Sequence, residues 1–497
     1  MTLVNRSNYL LFLPMLAEAA AGSIQLTDIL SPLRSLLPRT RVRVEVVQSI
    51  DLAQRTVTTF QPATRGEAVL EWDYLVVALG NTVRLSDLPG VAQHGLPIKT
   101  IGDALHIRNR AMEALDAAET CSDPDVRRAL LTFVVVGGGF SGVELAAELY
   151  DLLVEATRTY HTLRPADIHV VLLHGGERIL PELSPKLARF AQHVLARRGL
   201  EIRLRTRLAA ATAQYVILGN RDRVATHTLV VAAGSNPNPV AEALNVPKDR
   251  GRPQVDATLR VAGQTHVWAL GDCAAVPHPQ AEGLAPPTAQ FALREAEVVA
   301  DNIVAALTGA PSRPFIFAGL GQLVSLGHQS GVAELFGRVR VAGLPAWFMW
   351  RTFYLFRLPG LDRKLRVGLD WLLDFVFRRD LAQLDVERTQ RLTLAHFEPG
   401  EVIVEQGAPA DAFYLVMKGE VQVVRTNPDG TQIELARQHE GDVFGEVGLL
   451  RHRRRNATVR AVAPVDVVVV GGADFHLLAH AWTHLGTLLE RTAQERA

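Results

Sequence analysis

The stretch Arg128–Leu149, RALLTFVVVGGGFSGVELAAEL, decides how the rest of the chain is read. Leu130 to Val136 is a continuous apolar, partly β-branched run, the pattern of a buried parallel strand. It passes straight into Gly137-Gly138-Gly139-Phe140-Ser141-Gly142, and a helical pattern follows from Val143 to Leu153. Strand, Gly-x-Gly-x-x-Gly turn and helix in that order predict a dinucleotide-binding unit. Gly137 permits the tight turn, Gly139 lets the backbone approach a pyrophosphate, and Gly142 lets the helix pack close to the strand. The start of the helix offers free N–H groups and a partial positive charge to phosphate. A Gly-rich turn with no ligand is the plain alternative, and the flanking strand and helix weigh against it.

A second strand is predicted over Ile168–Leu173 in DIHVVLLHGGERILP. The position after it ordinarily carries Asp or Glu, which accepts hydrogen bonds from the ribose 2′-hydroxyl of NADH. His174 stands there instead. A neutral imidazole accepts one hydrogen bond and an imidazolium tolerates a 2′-phosphate, so NADH and NADPH both stay open. Two similar strands, DYLVVALG (73–80) and HTLVVAAG (227–234), end in small residues, the first at Ala78 and Gly80. In THVWALGDCAAVPHP, a strand over Val267–Leu270 ends at Gly271-Asp272, and PPTAQFALREAEVVADNI then opens a helix.

The bulk of the chain has an ordinary soluble composition and a length for about three domains. Its 497 residues include 52 Lys plus Arg and 52 Asp plus Glu, mixed along the sequence, so no field favours nucleic acid. Cys121 and Cys273 lie far apart, in no metal-ligand or Cys-x-x-Cys spacing, which points to a reducing compartment and to no metal site. No apolar run reaches the ~18 residues that span a bilayer.

The order DYLVVALG, VVVGGGFSGVE, ERILP, LVVAAG, VWALGDCA, PPTAQ resembles that of type II NADH dehydrogenases, from Met1 to about Leu384. The resemblance implies an α/β fold with two Rossmann-like domains, the FAD domain interrupted by the NAD domain. It implies FAD and NADH as cofactors, a quinone as electron acceptor, and attachment at the cytoplasmic side of the membrane without proton pumping. MTLVNRSNYLLFLPMLAEAAAG (1–22), which by itself also has the outline of a secretory leader, is similar to the family's second FAD-domain strand and the loop after it. It is therefore expected in the fold interior. The family's first strand, Gly-rich turn and helix would precede Met1. This leaves two readings, a start assigned too late or a chain that holds flavin weakly, and Asn5 stands at the FAD ribose position. In the family's terms Ala78, Gly80, Gly271 and Asp272 would line the flavin, Asp272 at its ribityl chain. Ala289 and Gln290 would lie beside the isoalloxazine where quinone enters, and Glu144 would approach the nicotinamide. Arg294 and Glu295 occupy places where a second Gln is usual. The expected divisions are residues 1–120 (FAD, first part), 121–235 (NAD), 236–312 (FAD, second part), 313–384 (membrane-interface region) and 385–497.

Residues 346–379 form the most aromatic segment. Arg366, Asp370, Asp374 and Arg378 recur every fourth residue, as one polar stripe expected to be laced by i,i+4 ion pairs. Leu365, Leu369, Trp371, Leu372, Leu373, Phe375, Val376 and Phe377 make the rest apolar. A wide apolar face with Trp and basic ends suits a helix lying in the membrane surface. The alternatives are a homodimer interface or packing against the catalytic core.

Beyond Asp380 short alternating strands with turns at Pro399-Gly400 and Asp429-Gly430 predict a β-barrel or jelly roll. This part resembles the cyclic-nucleotide-binding domain. The family's phosphate cassette corresponds to Phe444-Gly445-Glu446-Val447-Gly448-Leu449-Leu450 and Arg455-Asn456-Ala457-Thr458-Val459. Glu446 would accept the ribose 2′-hydroxyl and Arg455 would pair with the cyclic phosphate. Asn456 does not separate cyclic AMP from cyclic GMP. The expected function is an NADH:quinone oxidoreductase open to cyclic-nucleotide control. The competing readings are a catalytically silent nucleotide sensor and a soluble NAD(P)H-dependent reductase of the same fold.

Overall fold

The computed structural model describes residues 1–471 apart from 84, 86, 87, 234, 235, 281, 328, 337, 375–378, 380, 384–391, 398, 409, 411, 428–430 and 448–453. The chain divides into two units, Met1–Leu384 and Asp385–Ala497.

At the heart of the first unit is a parallel sheet of five strands: β1 (Gly95–Pro97), β2 (Thr132–Val136), β3 (His169–Leu173), β4 (Glu201–Arg203) and β5 (Thr228–Val231), in the order β1-β5-β2-β3-β4. Because strand side chains alternate, Phe133, Val135, Val170 and Leu172 face one way. They pack into one core with helices α1 (Ile101–Thr120) and α2 (Phe140–Ala156). Val134, Val171 and Leu173 face the other way, into a core shared with the antiparallel strands Leu208–Ala211 and Tyr215–Leu218. Burial on both faces explains why β2 and β3 carry unbroken apolar runs. Thr100 and Asp103 close a reciprocal capping box at the start of α1. Helix α3 (Pro185–Arg198) connects β3 to β4.

Residues on either side of this sheet build a second α/β region. Thr2–Asn5 pairs in parallel with Arg41–Val44, and Leu75–Val77 with Val267–Ala269. The residues after the first strand lie inside the fold: Met15 and Ala19 are fully buried, the latter in the short helix Leu16–Ala20. Helix α4 (Ala289–Thr308) packs Phe291, Val298 and Val299 with Trp268. A three-stranded antiparallel sheet follows, β6 (Gly321–Ser325), β7 (Gly331–Leu335) and β8 (Val339–Ala342), then helices α5 (Leu344–Arg357) and α6 (Leu361–Asp374). No helix among the described residues is long and apolar enough to cross a membrane.

The second unit is a sandwich of two four-stranded antiparallel sheets, as its alternating pattern predicts. Val416, Val421, Val459, Val465 and Val467 fill its interior, and the rings of Tyr414 and Phe444 stack 4.9 Å apart.

At Gly142 a Cβ would come within 1.9 Å of the Gly137 carbonyl oxygen. At Gly139 a Cβ would meet open space. Gly142→Ala is therefore expected to destabilise the protein by about 1–3 kcal/mol through overpacking, whereas Gly139→Ala should leave the melting temperature unchanged. Thermal unfolding of the two variants beside the wild type checks both.

Candidate functional site

The Gly-rich turn and the first turn of α2 form the dinucleotide end of the site. Gly137 N–H donates to the Leu173 carbonyl at 2.9 Å, holding the turn against the end of β3. Gly139 is the extended N-cap residue of α2, and no side chain caps this helix. Its first N–H groups are therefore left for an anion. His174, at the end of β3, accepts a 3.1 Å hydrogen bond at Nδ1 from Gly138 N–H, and burial holds its pKa below the usual imidazole value.

Two residues after Gly142, Glu144 points into the protein. Its Oε1 accepts the Trp350 indole N–H at 2.9 Å and the Ser325 backbone N–H at 3.1 Å. These contacts join α2 to α5 and β6, so the side chain expected beside the nicotinamide reaches the C-terminal region of the first unit. Burial pushes the carboxyl up to about 8, because neither N–H group offsets the lost hydration of a full charge. The same burial, with Glu144 close by, raises the Tyr354 hydroxyl above its ordinary range.

Two more buried carboxyl groups surround it, and the sequence reading missed both. Glu18 accepts the Trp371 indole N–H at 3.0 Å and lies 3.5 Å from the Arg351 guanidinium. Burial pushes it up to about 7, against the pull of Arg351. That guanidinium sits over the rings of Trp347 and Trp371, at 4.0 and 4.7 Å. Glu148, one turn beyond Glu144, takes the Ser23 hydroxyl at 3.2 Å and the Arg379 guanidinium at 3.3 Å, and burial raises it too. The available signal was an acid inside each of two otherwise apolar helical segments, PMLAEAAAG and VELAAEL.

Helix α6 differs from expectation in one respect. Trp371 is buried against the core, so it does not belong to the outward apolar face; Val367 is buried beside it. The outward face carries Leu361, Leu365, Leu369 and Leu372, all more than half exposed. The polar stripe turns toward residues 25–28: Asp370 accepts the Gln25 N–H at 3.1 Å, and Arg366 lies 3.7 Å from Asp28. Phe375 and Arg378 lie outside the described residues.

The flavin-side residues gather around the end of the strand Val267–Ala269. Asp272 Oδ2 accepts the Asn81 amide at 2.7 Å, and Lys99 contacts the same amide. Burial raises the Asp272 carboxyl, partly offset by Lys99. Ala78 is exposed just beyond the strand Leu75–Val77, and a Cβ on Gly80 would find open space. A partly buried carboxylate, an amide and an amine beside that opening fit the hydroxyl-rich ribityl end of a flavin. Gly271 N–H donates to Glu295 Oε2 at 2.7 Å, giving Glu295 a buried structural partner in place of the usual Gln. Ala289 starts α4, and the Gln290 amide bonds the backbone at both ends, to Leu320 N–H and Gly321 C=O. Asn5 donates to the Ser7 and Tyr9 carbonyls and so fastens its own loop. Cys273 is buried and its thiol is pushed up by burial.

In the second unit Gly445 has a left-handed backbone, Glu446 is buried, and Asn456 is exposed. Arg455 is buried, donating to the Gly445 and Ala412 carbonyls at 2.8 and 2.7 Å.

Residues 1–296 match the model of the pyridine nucleotide-disulphide oxidoreductases, and residues 320–380 that of the NDH2 C-terminal domain. The chain is 32% identical to the type II NADH:quinone oxidoreductase Ndh of Mycobacterium tuberculosis, over 82% of this chain and 90% of that one. The chain belongs to the type II NADH:quinone oxidoreductase family. Demethylphylloquinone reductase NdbB of Synechocystis is also 32% identical, over 74% of this chain and 87% of its own. The fold is shared with NDH2 of Plasmodium falciparum solved with NADH, at a TM-score of 0.72 and 17% identity, covering 77% of this chain and 94% of that one. Residues 394–480 match the cyclic nucleotide-binding domain. The expected α/β fold with a C-terminal cyclic-nucleotide-binding domain is thus established.

A group whose folded pKa lies above its unfolded value stabilises the fold at low pH and loses that contribution as pH rises through the folded value. Glu144, at 4.5 unfolded and about 8 folded, should cost the protein stability between about pH 5 and 8. Glu144→Gln keeps an acceptor for Trp350 and Ser325 but cannot ionise. Its melting temperature relative to wild type should therefore rise steadily across that window, and a flat difference would contradict a buried protonated carboxyl.

Proposed function

We propose that this chain is an FAD-dependent NADH:quinone oxidoreductase that works at a membrane surface without pumping protons, and that its second unit binds a cyclic nucleotide. The observation that carries the first part is Glu144. A carboxyl on the dinucleotide-binding helix holds a proton at neutral pH and is tied to the family's C-terminal region. The overall reaction, NADH + H⁺ + quinone → NAD⁺ + quinol, moves two electrons and one proton as hydride and needs a second proton from elsewhere. FAD, when bound, supplies the two-electron chemistry. With Oε1 accepting both N–H groups, Oε2 is left as the oxygen that can carry the Glu144 proton. Gly137, Gly139 and Gly142 bind and orient the dinucleotide. Asp272, Ala78 and Gly80 would hold the flavin, and Ala289 with Gln290 would border the quinone. Trp350 orients Glu144 through its indole N–H, and Trp347 lies against the Arg351 guanidinium.

Attachment to the membrane rests on the outward face of α6. Leu361, Leu365, Leu369 and Leu372 share it, Phe356 of α5 is exposed as well, and Arg357, Lys364 and Arg366 supply cations near the same helices. An apolar helical face with a basic border binds in the interface plane of an anionic bilayer. Such a position suits the cytoplasmic face, where NADH is available.

The FAD-loaded chain should oxidise NADH with a short-chain soluble quinone and with a long-chain quinone held in anionic vesicles. Leu365→Asp/Leu369→Asp should lose turnover of the vesicle quinone while still reducing the soluble one. Failure with both quinones, alongside rapid reduction of a small iron–sulfur protein, would identify a soluble reductase instead.

For the barrel, Arg455 supplies a buried cation facing Gly445, in the place of the family's phosphate-pairing arginine. Arg455→Ala should abolish cyclic AMP binding in a calorimetric titration. Control of turnover further requires the nucleotide to prefer one state of the enzyme. A coupling of about 1–3 kcal/mol would move quinone affinity by about 5- to 150-fold. Tight cyclic AMP binding with unchanged quinone kinetics would leave the barrel without a regulatory role.

A further inference from the structure

A cavity of about 810 Å³ opens beside the end of β3, between the loop that follows it and α3. His174, Glu177, Arg178 and Arg189 are among its lining residues. In a dinucleotide-binding fold, the end of the second strand is where the adenosine ribose lies. The cavity therefore belongs to the adenosine end of the site whose pyrophosphate end is the Gly-rich turn.

His174 offers nothing to a ribose hydroxyl there. Its Nδ1 already accepts the Gly138 N–H, and it makes a second hydrogen bond to the Arg178 backbone. The ring is wedged in place, since a Cβ on Gly138 would come within 2.6 Å of its Cγ and one on Gly176 within 2.7 Å of its Nε2. The carboxylate that would both accept from a 2′-hydroxyl and repel a 2′-phosphate is absent.

Cations surround the same place. Arg178 and Arg189 line the cavity. Arg205 donates its backbone N–H to Gly176 at 2.9 Å, and a Cβ on Gly175 would lie 3.1 Å from the Arg207 side chain. Of these four arginines, Arg178 and Arg189 line the cavity itself and the other two lie near its edge, and two carboxylates stand against them. Glu177 is paired with Arg205 at 3.0 Å, and Glu182 lies close enough to His174 to favour its charged form. The balance is positive, and a dianion gains from it what a hydroxyl does not.

We propose that this cavity binds a 2′-phosphorylated adenine ribose, so that NADPH is a substrate of this enzyme. The proposal rests on assigning the Gly-rich turn to dinucleotide binding. Burial of His174, which favours the neutral ring, is consistent with it, because the guanidinium groups then carry the recognition.

Calorimetric titration of the full chain with adenosine 2′,5′-bisphosphate and with 5′-AMP at low salt tests it. The bisphosphate should bind more tightly by about 10- to 100-fold, the range of one or two charge-assisted hydrogen bonds. Arg178→Ala/Arg189→Ala should remove most of that preference, and His174→Glu should reverse it, in variants shown by circular dichroism to be folded. Equal or weaker binding of the bisphosphate, or a preference untouched by the arginine substitutions, would overturn the proposal. Dye reduction by NADH in the same preparations reports separately on the oxidoreductase. Its loss with the 2′-phosphate preference intact would count against the enzyme reading alone.

Discussion

The first unit depends on a buried carboxyl group that joins its two ends. Glu144 sits on the helix that opens the dinucleotide site and takes its hydrogen bonds from Trp350 and Ser325, more than 180 residues further along the chain. An ionised carboxylate in that position would need a cation. The nearby guanidinium groups are engaged elsewhere, Arg351 with Glu18 and Arg379 with Glu148. Neutralisation by a proton is the remaining solution, since burying an unpaired charge costs far more than burying a carboxylic acid. The requirement that keeps the C-terminal helices on α2 thus also keeps a proton on the helix that follows the Gly-rich turn.

Arg351 shows how these demands are met together. Its guanidinium lies over two indole rings and near one carboxylate, so its charge is shared among π faces and an anion without solvent. Trp371 serves the same arrangement from α6. Its indole N–H caps Glu18 while its ring covers Arg351, which turns one side of α6 inward and leaves the leucines to face out. An amphipathic helix with both a polar core-facing anchor and an apolar outer face is held firmly at the protein while still presenting itself to lipid.

The two ends of the dinucleotide site are governed by different physics. At the Gly-rich turn, the helix and strand come so close that no Cβ fits at Gly142, and the N–H groups of α2 stay uncapped. At the other end, beside β3, arginines line a cavity where a single directed carboxylate is usual, and the proposed choice between dinucleotides rests on that difference.

The sequence alone determined the parts that depend on local pattern. The apolar runs of β2 and β3, the glycine spacing and the alternating strands of the barrel are consequences of chain period and backbone sterics, visible in any short window. The placement of MTLVNRSNYLLFLPMLAEAAAG inside the fold was likewise legible, from motif order. What the sequence could not show is which distant side chains share a buried volume. The meeting of Glu18, Glu144 and Glu148 with Arg351 and Arg379, the inward turn of Trp371, and the use of Glu295 to hold Gly271 all join residues far apart in the chain or on faces that periodicity leaves ambiguous. A Trp on an apolar helix looks alike whether it faces lipid or core, and only the presence of a buried carboxylate opposite its N–H settles the matter. Tertiary structure decided these points because the energy of a buried polar group is set by its partners, and partners are a property of three-dimensional packing.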